Sequence, residues 1–377
     1  MGNGLTAERV RGDVDVLSRA GLDLDEFLGE MTETMHRAVP WEGICIGTLD
    51  PASLLLTSGR KYGALARMDT EDALFAVLEY TMQEPSSFRA LAQTELTAIG
   101  MHETMPAQVD RSERMNTLIR PIFGFGDEAR VLFRDDVGTW GAMAIMRDED
   151  APKFSAEDVE FLASLSDSLA RGVRGGILAR LSESDGADAG TRGPAVIIVD
   201  REGEVTQISV GAEERLAQFH SSPNVIDPMG VVFALVAAAR RHASAPGTMM
   251  PRTRVRTASG QWLVIHAAPL ASRGGVTGDV VVTIEEARPP EIVELVVAAF
   301  RLTARERDVT RLVLQGFETK EIAASLFVSA YTVQDHLKSI FDKAGVRSRR
   351  ELVARVYFDQ YVPRMGTAVG PSGGFLA

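Results

Sequence analysis

The chain has 377 residues, 45% of them hydrophobic, and a formal net charge of −12. That composition suits two or three folded domains and excludes a chain that is mostly disordered. No apolar run approaches the roughly 20 residues that span a bilayer, so no membrane partner is expected and the location is expected to be cytoplasmic. The single cysteine, Cys45, excludes an internal disulfide or an all-cysteine metal site.

Near the N-terminus, "DLDEFLGEMTETMHRAV" places Leu24, Phe27, Met31 and Met35 at intervals of three or four, which predicts a helix. "GICIGTL" reads as a strand with Ile44 and Ile46 on one side and Cys45 on the other; core packing is the heavier reading of Cys45, a pocket position the lighter. "ALFAVLEYTM" resumes helical spacing. "RVLFRDDVGTWGAMAIM" predicts two strands around a polar turn at 135–138. In "KFSAEDVEFLASLSDSLARGV", Ser155 caps with Asp158, and Val159, Leu162, Leu165, Leu169 and Val173 form one apolar stripe. Such a stripe packs on its own sheet or on a second copy of the helix.

"SESDGADAGTRGP" is small, polar and Gly-rich, and predicts a linker over 181–194. "AVIIVDREGEVTQIS" follows as strand, turn and strand, and "GAEERLAQF" and "FALVAAARRHA" as helices. "TRVRTASGQWLVIHAAPL" and "GDVVVTIEEA" then supply three strands, making a second α+β domain over 195–288. The last residues, 364–377, are Gly-rich and predict a disordered tail.

Between them lies a segment of different character. Residues 302–357 carry ten Lys and Arg against seven Asp and Glu, so this stretch is about +3 while the remainder is about −15. A local basic surface on an acidic body permits nucleic-acid binding. Thr303 and Glu306 form a capping box that opens a helix, and Gly316 stops it. Thr319 is placed to cap a second helix with Ile322 and Ala323 inward. Ser329 caps a third, with Val333, Leu337 and Ile340 inward and Gly345 at its end. Ser348 with Glu351 opens a fourth.

A helix, a turn of about four residues and a second helix is helix-turn-helix spacing. Opposite the buried side of the third helix lie Gln334, Asp335 and Lys338, with Tyr331 near its start. Gln and Lys suit base edges in the major groove, and Asp accepts from a cytosine amino group. Thr332 and the helix N-terminus suit a phosphate oxygen, and Arg347, Arg349 and Arg350 lie within reach of the backbone. On spacing alone, a helical bundle with an ordinary solvated surface stays open.

The segment "LTARERDV…G…TKEIAASLFVSAYTVQDHLKSIFDKAGVRSRRELV" resembles the LuxR-type helix-turn-helix. That resemblance implies an all-α, four-helix DNA-binding domain over 298–360. Its third helix would enter the major groove and its fourth would help pair two modules in a homodimer on double-stranded DNA. Residues 21–180 resemble a GAF domain through element order and the "VGTWGAMAIMRDEDAPKFSAEDVEFL" ending. Residues 195–288 resemble a PAS domain through "AVIIVDREGEVTQIS" and the "GAEERL" helix. Both resemblances imply α+β sensory domains that take a small-molecule effector or a protein partner.

The sequence holds no phosphate-binding Gly-rich loop, nucleophile elbow or paired-histidine zinc motif, so neither an enzyme nor a cofactor is expected. A multidomain, sequence-specific transcriptional regulator is one expectation. A signalling scaffold with weak autonomous DNA affinity is the alternative, and selective, salt-dependent binding to duplex DNA separates the two.

Overall fold

The computed structural model describes residues 2–68, 71–81, 84–179, 193–219, 224–244, 250–272 and 275–358. Most of the predicted linker and all of the predicted tail lie outside the described residues. The two sheets described below fall in one compact unit, and the helices from Pro289 onward fall in another.

The first sheet is built from β1 (Gly43–Leu49), β2 (Leu56–Gly63), β3 (Ala98–Gly100), β4 (Phe125–Arg134) and β5 (Thr139–Asp148), all antiparallel, in the order β2-β1-β5-β4-β3. The helices of this part are α1 (Gly2–Leu17), α2 (Leu24–His36), α3 (Asp72–Thr81), α4 (Phe88–Leu91), α5 (Met101–Thr104), α6 (Pro106–Val109), α7 (Ala156–Ser164) and α8 (Ser166–Ala179). β4 and β5 are buried at nearly every successive position, so both faces of the sheet are covered. One core cluster joins α3, α5 and α6 to Phe125, Ala144 and Met146. α2 and α8 meet where a Cβ on Gly172 would lie 2.0 Å from Phe27, an approach only glycine permits.

The capping box at Ser155 and Asp158 forms as expected. The apolar stripe that follows is carried by two helices, α7 and α8, which meet at Leu165. Leu162, Leu165, Leu169 and Val173 are each fully buried within one chain. Ser166 ties the junction to the sheet, its hydroxyl donating to the Leu132 carbonyl at 2.6 Å and accepting from the Arg134 N–H at 3.0 Å. This stripe therefore packs on its own domain and is not free to pair with a second copy.

The second sheet contains β6 (Ala195–Val199), β7 (Val205–Ile208), β8 (Arg252–Arg256), β9 (Trp262–Ser272) and β10 (Gly275–Glu286), in the order β7-β6-β10-β9-β8. Counted within each sheet, this is the same antiparallel strand order as the first. Helices α9 (Ala212–Leu216) and α10 (Pro228–Ser244) lie between β7 and β8 in the chain. Alternate residues Ile197, Val199, Leu263, Ile265, Val280, Val282 and Ile284 form one face, filled by Val231 to Ala239 of α10. Ala76 and Tyr80 of α3 belong to the same cluster, so α10 is packed by the second sheet and by α3.

The segment leading into α10 is joined to the first sheet by backbone, and β8 by a side-chain ion pair. Residues 224–226 lie along the free edge of β2: Lys61 N–H donates to the Asn224 carbonyl at 2.8 Å, and Ile226 N–H to the Gly59 carbonyl at 3.0 Å. Arg254 of β8 grips the buried Asp50 carboxylate through Nε at 2.7 Å and Nη2 at 2.6 Å. Beneath the first sheet a line of buried charges alternates in sign. Arg114 pairs with Glu84 at 3.1 Å and Glu128 at 2.7 Å, and Arg130 with Glu128 at 3.1 Å and Glu79 at 2.5 Å. Glu79, Arg114, Glu128 and Arg130 are desolvated and Glu84 is half-buried, and each has an opposite neighbour in contact, the condition under which buried ions are tolerated.

The second unit contains α11 (Pro289–Ala299), α12 (Ala304–Leu314), α13 (Thr319–Leu326), α14 (Ala330–Ala344) and α15 (Arg349–Val353), the last continuing as a wider turn over 354–358. α11 packs against that turn through a buried side that includes Ile292, Leu295 and Val296. An α+β N-terminal region with two sheets followed by an all-α module is the architecture expected from the sequence.

Candidate nucleic-acid interface

α12 begins at the capping box read from the sequence. Thr303 Oγ1 accepts from the Glu306 N–H at 3.3 Å, and the Glu306 carboxylate accepts from the Thr303 N–H at 2.7 Å. The same carboxylate does more than cap. It accepts from Ser339 Oγ at 2.6 Å and from Lys343 Nζ at 2.6 Å, both on α14, and is itself buried. Burial alone would raise its pKa, but the bonds from Lys343, Ser339 and Thr303 outweigh this and lower it to about 2. Glu306 thus fixes the start of α12 to the C-terminal half of α14 as an ion.

Gly316 ends α12 at φ +88°, with its N–H and that of Phe317 returning to the carbonyls of Val313 and Leu312. The expected cap of α13 is displaced by one residue. Thr319 is the first helical residue, and Glu318 precedes the helix with its N–H bonded to the Glu321 carboxylate at 2.7 Å. The longer Glu321 side chain reaches back from the first turn, so a threonine at the cap is not needed.

A three-residue turn, 327–329, joins α13 to α14. Phe327 holds it in the left-handed region at φ +56°, where a non-glycine residue is disfavoured by about 1–2 kcal/mol. Its ring is almost fully exposed. Arg305 donates to the Leu326 carbonyl at 2.5 Å, closing the end of α13 from α12. Ser329 then caps α14, its hydroxyl accepting from the Thr332 N–H at 3.0 Å.

Within α14, Val333, Leu337, Ile340 and Ala344 are buried, at intervals of four, three and four residues. That stripe orients the opposite side outward: Tyr331, Gln334, Asp335 and Lys338 are exposed and Thr332 half-buried. The sequence-predicted base-facing residues therefore share one face of one helix, and among the described residues no salt bridge involves any of them. Arg347 and Arg350 are exposed beside the start of α15. Arg349 sits differently from the other two. Its guanidinium donates to the Phe317 carbonyl at 2.8 Å and to Thr319 Oγ1 at 2.9 Å, tying α15 to the turn between α12 and α13.

Three features of this surface were not read from the sequence. Glu306 was recognised as a cap but not as the anchor of α14, because Ser339 and Lys343 lie more than 30 residues away. Arg305 as a brace for α13 leaves no local signal. Phe327 does leave one: a large apolar residue in a turn, with no helical neighbour to pack on.

The geometry defines a class. Two helices joined by a short turn, the second braced along its buried stripe and bare along its polar one, make a helix-turn-helix module. Residues 301–356 match the family of bacterial regulatory proteins named luxR. The spore germination protein GerE of Bacillus subtilis is 44% identical over 55 residues, which is 15% of this chain and 74% of GerE. The monoamine regulon transcriptional regulator of Klebsiella aerogenes is 45% identical over 56 residues, covering 15% of this chain and 25% of that protein. By this module the chain belongs to the luxR family. An HTH-type regulator of Mycobacterium bovis is 54% identical over 52 residues, but these are 14% of this chain and only 6% of that larger protein. Among solved structures, the phage VqmA–DPO complex covers 47% of this chain and 88% of its own at 20% identity, with a TM-score of 0.24, too low to support an argument.

Proposed function

We propose that the protein is a sequence-specific DNA-binding transcriptional regulator whose N-terminal α+β region senses a small molecule or a protein partner. The observation that carries this reading is the bare polar face of α14, held on a luxR-family module by the buried Glu306 anchor. On this reading Gln334, Asp335 and Lys338 read base edges, with Tyr331 at the entrance to the groove. Thr332 and the N-terminal amides of α14 take a phosphate, and Arg347 and Arg350 hold the flanking backbone. Arg349 contributes through the turn it ties down, besides any phosphate its remaining N–H groups reach.

The division into a GAF-like domain over 21–180, a PAS-like domain over 195–288 and a DNA-binding domain over 298–360 belongs to the same proposal. It is supported by the shared strand order of the two sheets and by the helix that fills one face of the second. A cytoplasmic homodimer on double-stranded DNA is part of it, since one module reads too few base pairs for useful specificity. Pairing would fall to surfaces other than the buried α7–α8 stripe. Selection of a bound duplex from random sequence, followed by competition against scrambled duplex at several salt concentrations, tests the reading. Enrichment of one sequence, with affinity falling as salt rises, is expected; affinity equal for selected and scrambled duplexes would overturn it.

A further inference from the structure

The first sheet borders a cavity of about 50 Å³ between β1, β2, β5 and α3, and one of its walls comes from the start of α10 and the segment before it. Ile226 and Gly230, in and just after the segment that runs along the edge of β2, line it together with Cys45, Lys61, Asp72 and Glu79. The approach is close. A Cβ on Gly59 would lie 2.6 Å from the Ile226 side chain, and one on Gly230 3.0 Å from it. Glycine at both places is what lets Ile226 reach the opening.

The cavity's charges are already matched. Lys61 Nζ lies 2.5 Å from the Asp72 carboxylate and 2.5 Å from the Met68 carbonyl. Glu79 is held by Arg130 at 2.5 Å and by the Phe88 N–H at 2.6 Å. Desolvation by burial pushes the Cys45 thiol up to about 12, so it stays neutral. A charged guest would find no free counter-ion among these groups and would lose its hydration. The rest of the lining is largely apolar, and the volume suits about four water-sized groups.

We infer that this seam is the effector site of the sensing region, and that it takes a compact, uncharged, mostly apolar molecule of at most about four non-hydrogen atoms. The inference rests on the sensing role proposed above. It adds a route by which binding is felt: a guest touches β1, α3 and Ile226, which leads into the α10 helix that fills the face of the second sheet, so occupancy shifts the balance between arrangements of the seam. Cys45 and Lys61 offer hydrogens to one acceptor atom on the guest.

Cys45 is the chain's single cysteine and lines the cavity, which gives a direct readout. Methyl methanethiosulfonate transfers its methylthio group to the thiolate, releasing methanesulfinate; because burial keeps Cys45 protonated at neutral pH, labelling is followed over hours at about pH 9, and the mass of the intact full-length chain reports the rate. Acetone is the probe and acetate, of the same size but charged, its control. In tens of millimolar acetone, labelling should slow at least about tenfold, and acetate should leave it unchanged. Ile226→Ala should speed labelling severalfold and weaken the protection; Ala76→Val, which narrows the cavity, should weaken protection without opening it. A rate indifferent to acetone, equal protection by acetate or, where Cys45 labels too slowly to follow, a melting temperature that acetone raises no more than acetate does would overturn the inference. DNA affinity measured on the same samples keeps the two readings apart. Protection with unchanged DNA affinity supports the site and sinks its sensing role, whereas loss of protection leaves DNA binding untouched.

Discussion

In the C-terminal module one carboxylate, Glu306, gathers Thr303, Ser339 and Lys343 and so sets α14 against α12. In the two-sheet body, three carboxylates and two guanidiniums alternate from Glu84 through Arg114, Glu128 and Arg130 to Glu79, with no apolar residue between successive partners. The module's ion sits at a helix N-terminus, where backbone N–H groups favour negative charge, and only one cation is needed to complete it. The body's ions lie where no helix end serves all of them, so each depends on the next. A single anchored ion positions a working surface and leaves that surface free. A chain of ions makes every member indispensable to the packing around it.

Breaking the chain should produce the largest effect. Arg130→Met removes the cation between Glu79 and Glu128 and leaves both buried without it, at a cost of about 3–5 kcal/mol. Denaturant unfolding of the full-length chain checks this, and the loss should fall on the transition of the two-sheet body.

Glu306 sharpens the contrast through pH. Its carboxyl titrates near 2 in the folded module against an ordinary value of 4.5. The stabilisation it brings is therefore fully present above about 4.5 and is lost as pH falls towards 2. From the size of the shift it amounts to at most about 3 kcal/mol. Glu306→Gln should lower stability at pH 7 and flatten the dependence between pH 5 and 2; acid melts of both proteins, followed by helical signal, measure the difference.

On the exposed face the effects should be smaller and should appear in binding. Lys338→Ala should reduce affinity for the selected duplex by about 1–3 kcal/mol and relax its sequence preference. Arg350→Ala should weaken all duplexes alike and reduce the salt slope by about 1. Equal loss of selectivity in both would erase the assignment of base and backbone contacts. Phe327→Gly should be the mildest: relief of the left-handed strain offsets the added freedom of the unfolded chain, so the melting temperature should move by only a few degrees.

The same contrast explains what could be read from the sequence. The module is written in local signals: Thr303 three residues before Glu306, Gly316 and Gly345 at helix ends, and apolar residues at helical spacing through Val333, Leu337 and Ile340. These act over one or two turns, so the helices and the outward positions on α14 were legible. β1, β4 and β5 of the first sheet and the strands of the second were legible for the same reason, down to the bounds of "GICIGTL" as β1, whereas β2 and the short β3 were not read from the sequence. What escaped is long-range. Arg114, Glu128 and Arg130 look like ordinary surface charges in a chain that is 24% charged. Nothing near Asp50 announces Arg254, 204 residues later. The Val159 to Val173 stripe fitted two partners equally well, because periodicity gives a helix its apolar face without naming what covers it. Cys45 was read mainly as core, and its place beside a cavity involves Ile226, which arrives from the segment before α10, 181 residues later.

The account rests on the claim that the polar face of α14 reads DNA. The most direct test is the affinity of the full-length chain for its selected duplex, measured across salt concentrations for the wild type and Lys338→Ala. The account predicts selective binding that weakens steeply with salt, and loss of selectivity in the variant while its helical signal is unchanged. Wild-type protein with an intact helical signal and no binding at low salt, or a Lys338→Ala variant as selective as the wild type, would contradict it.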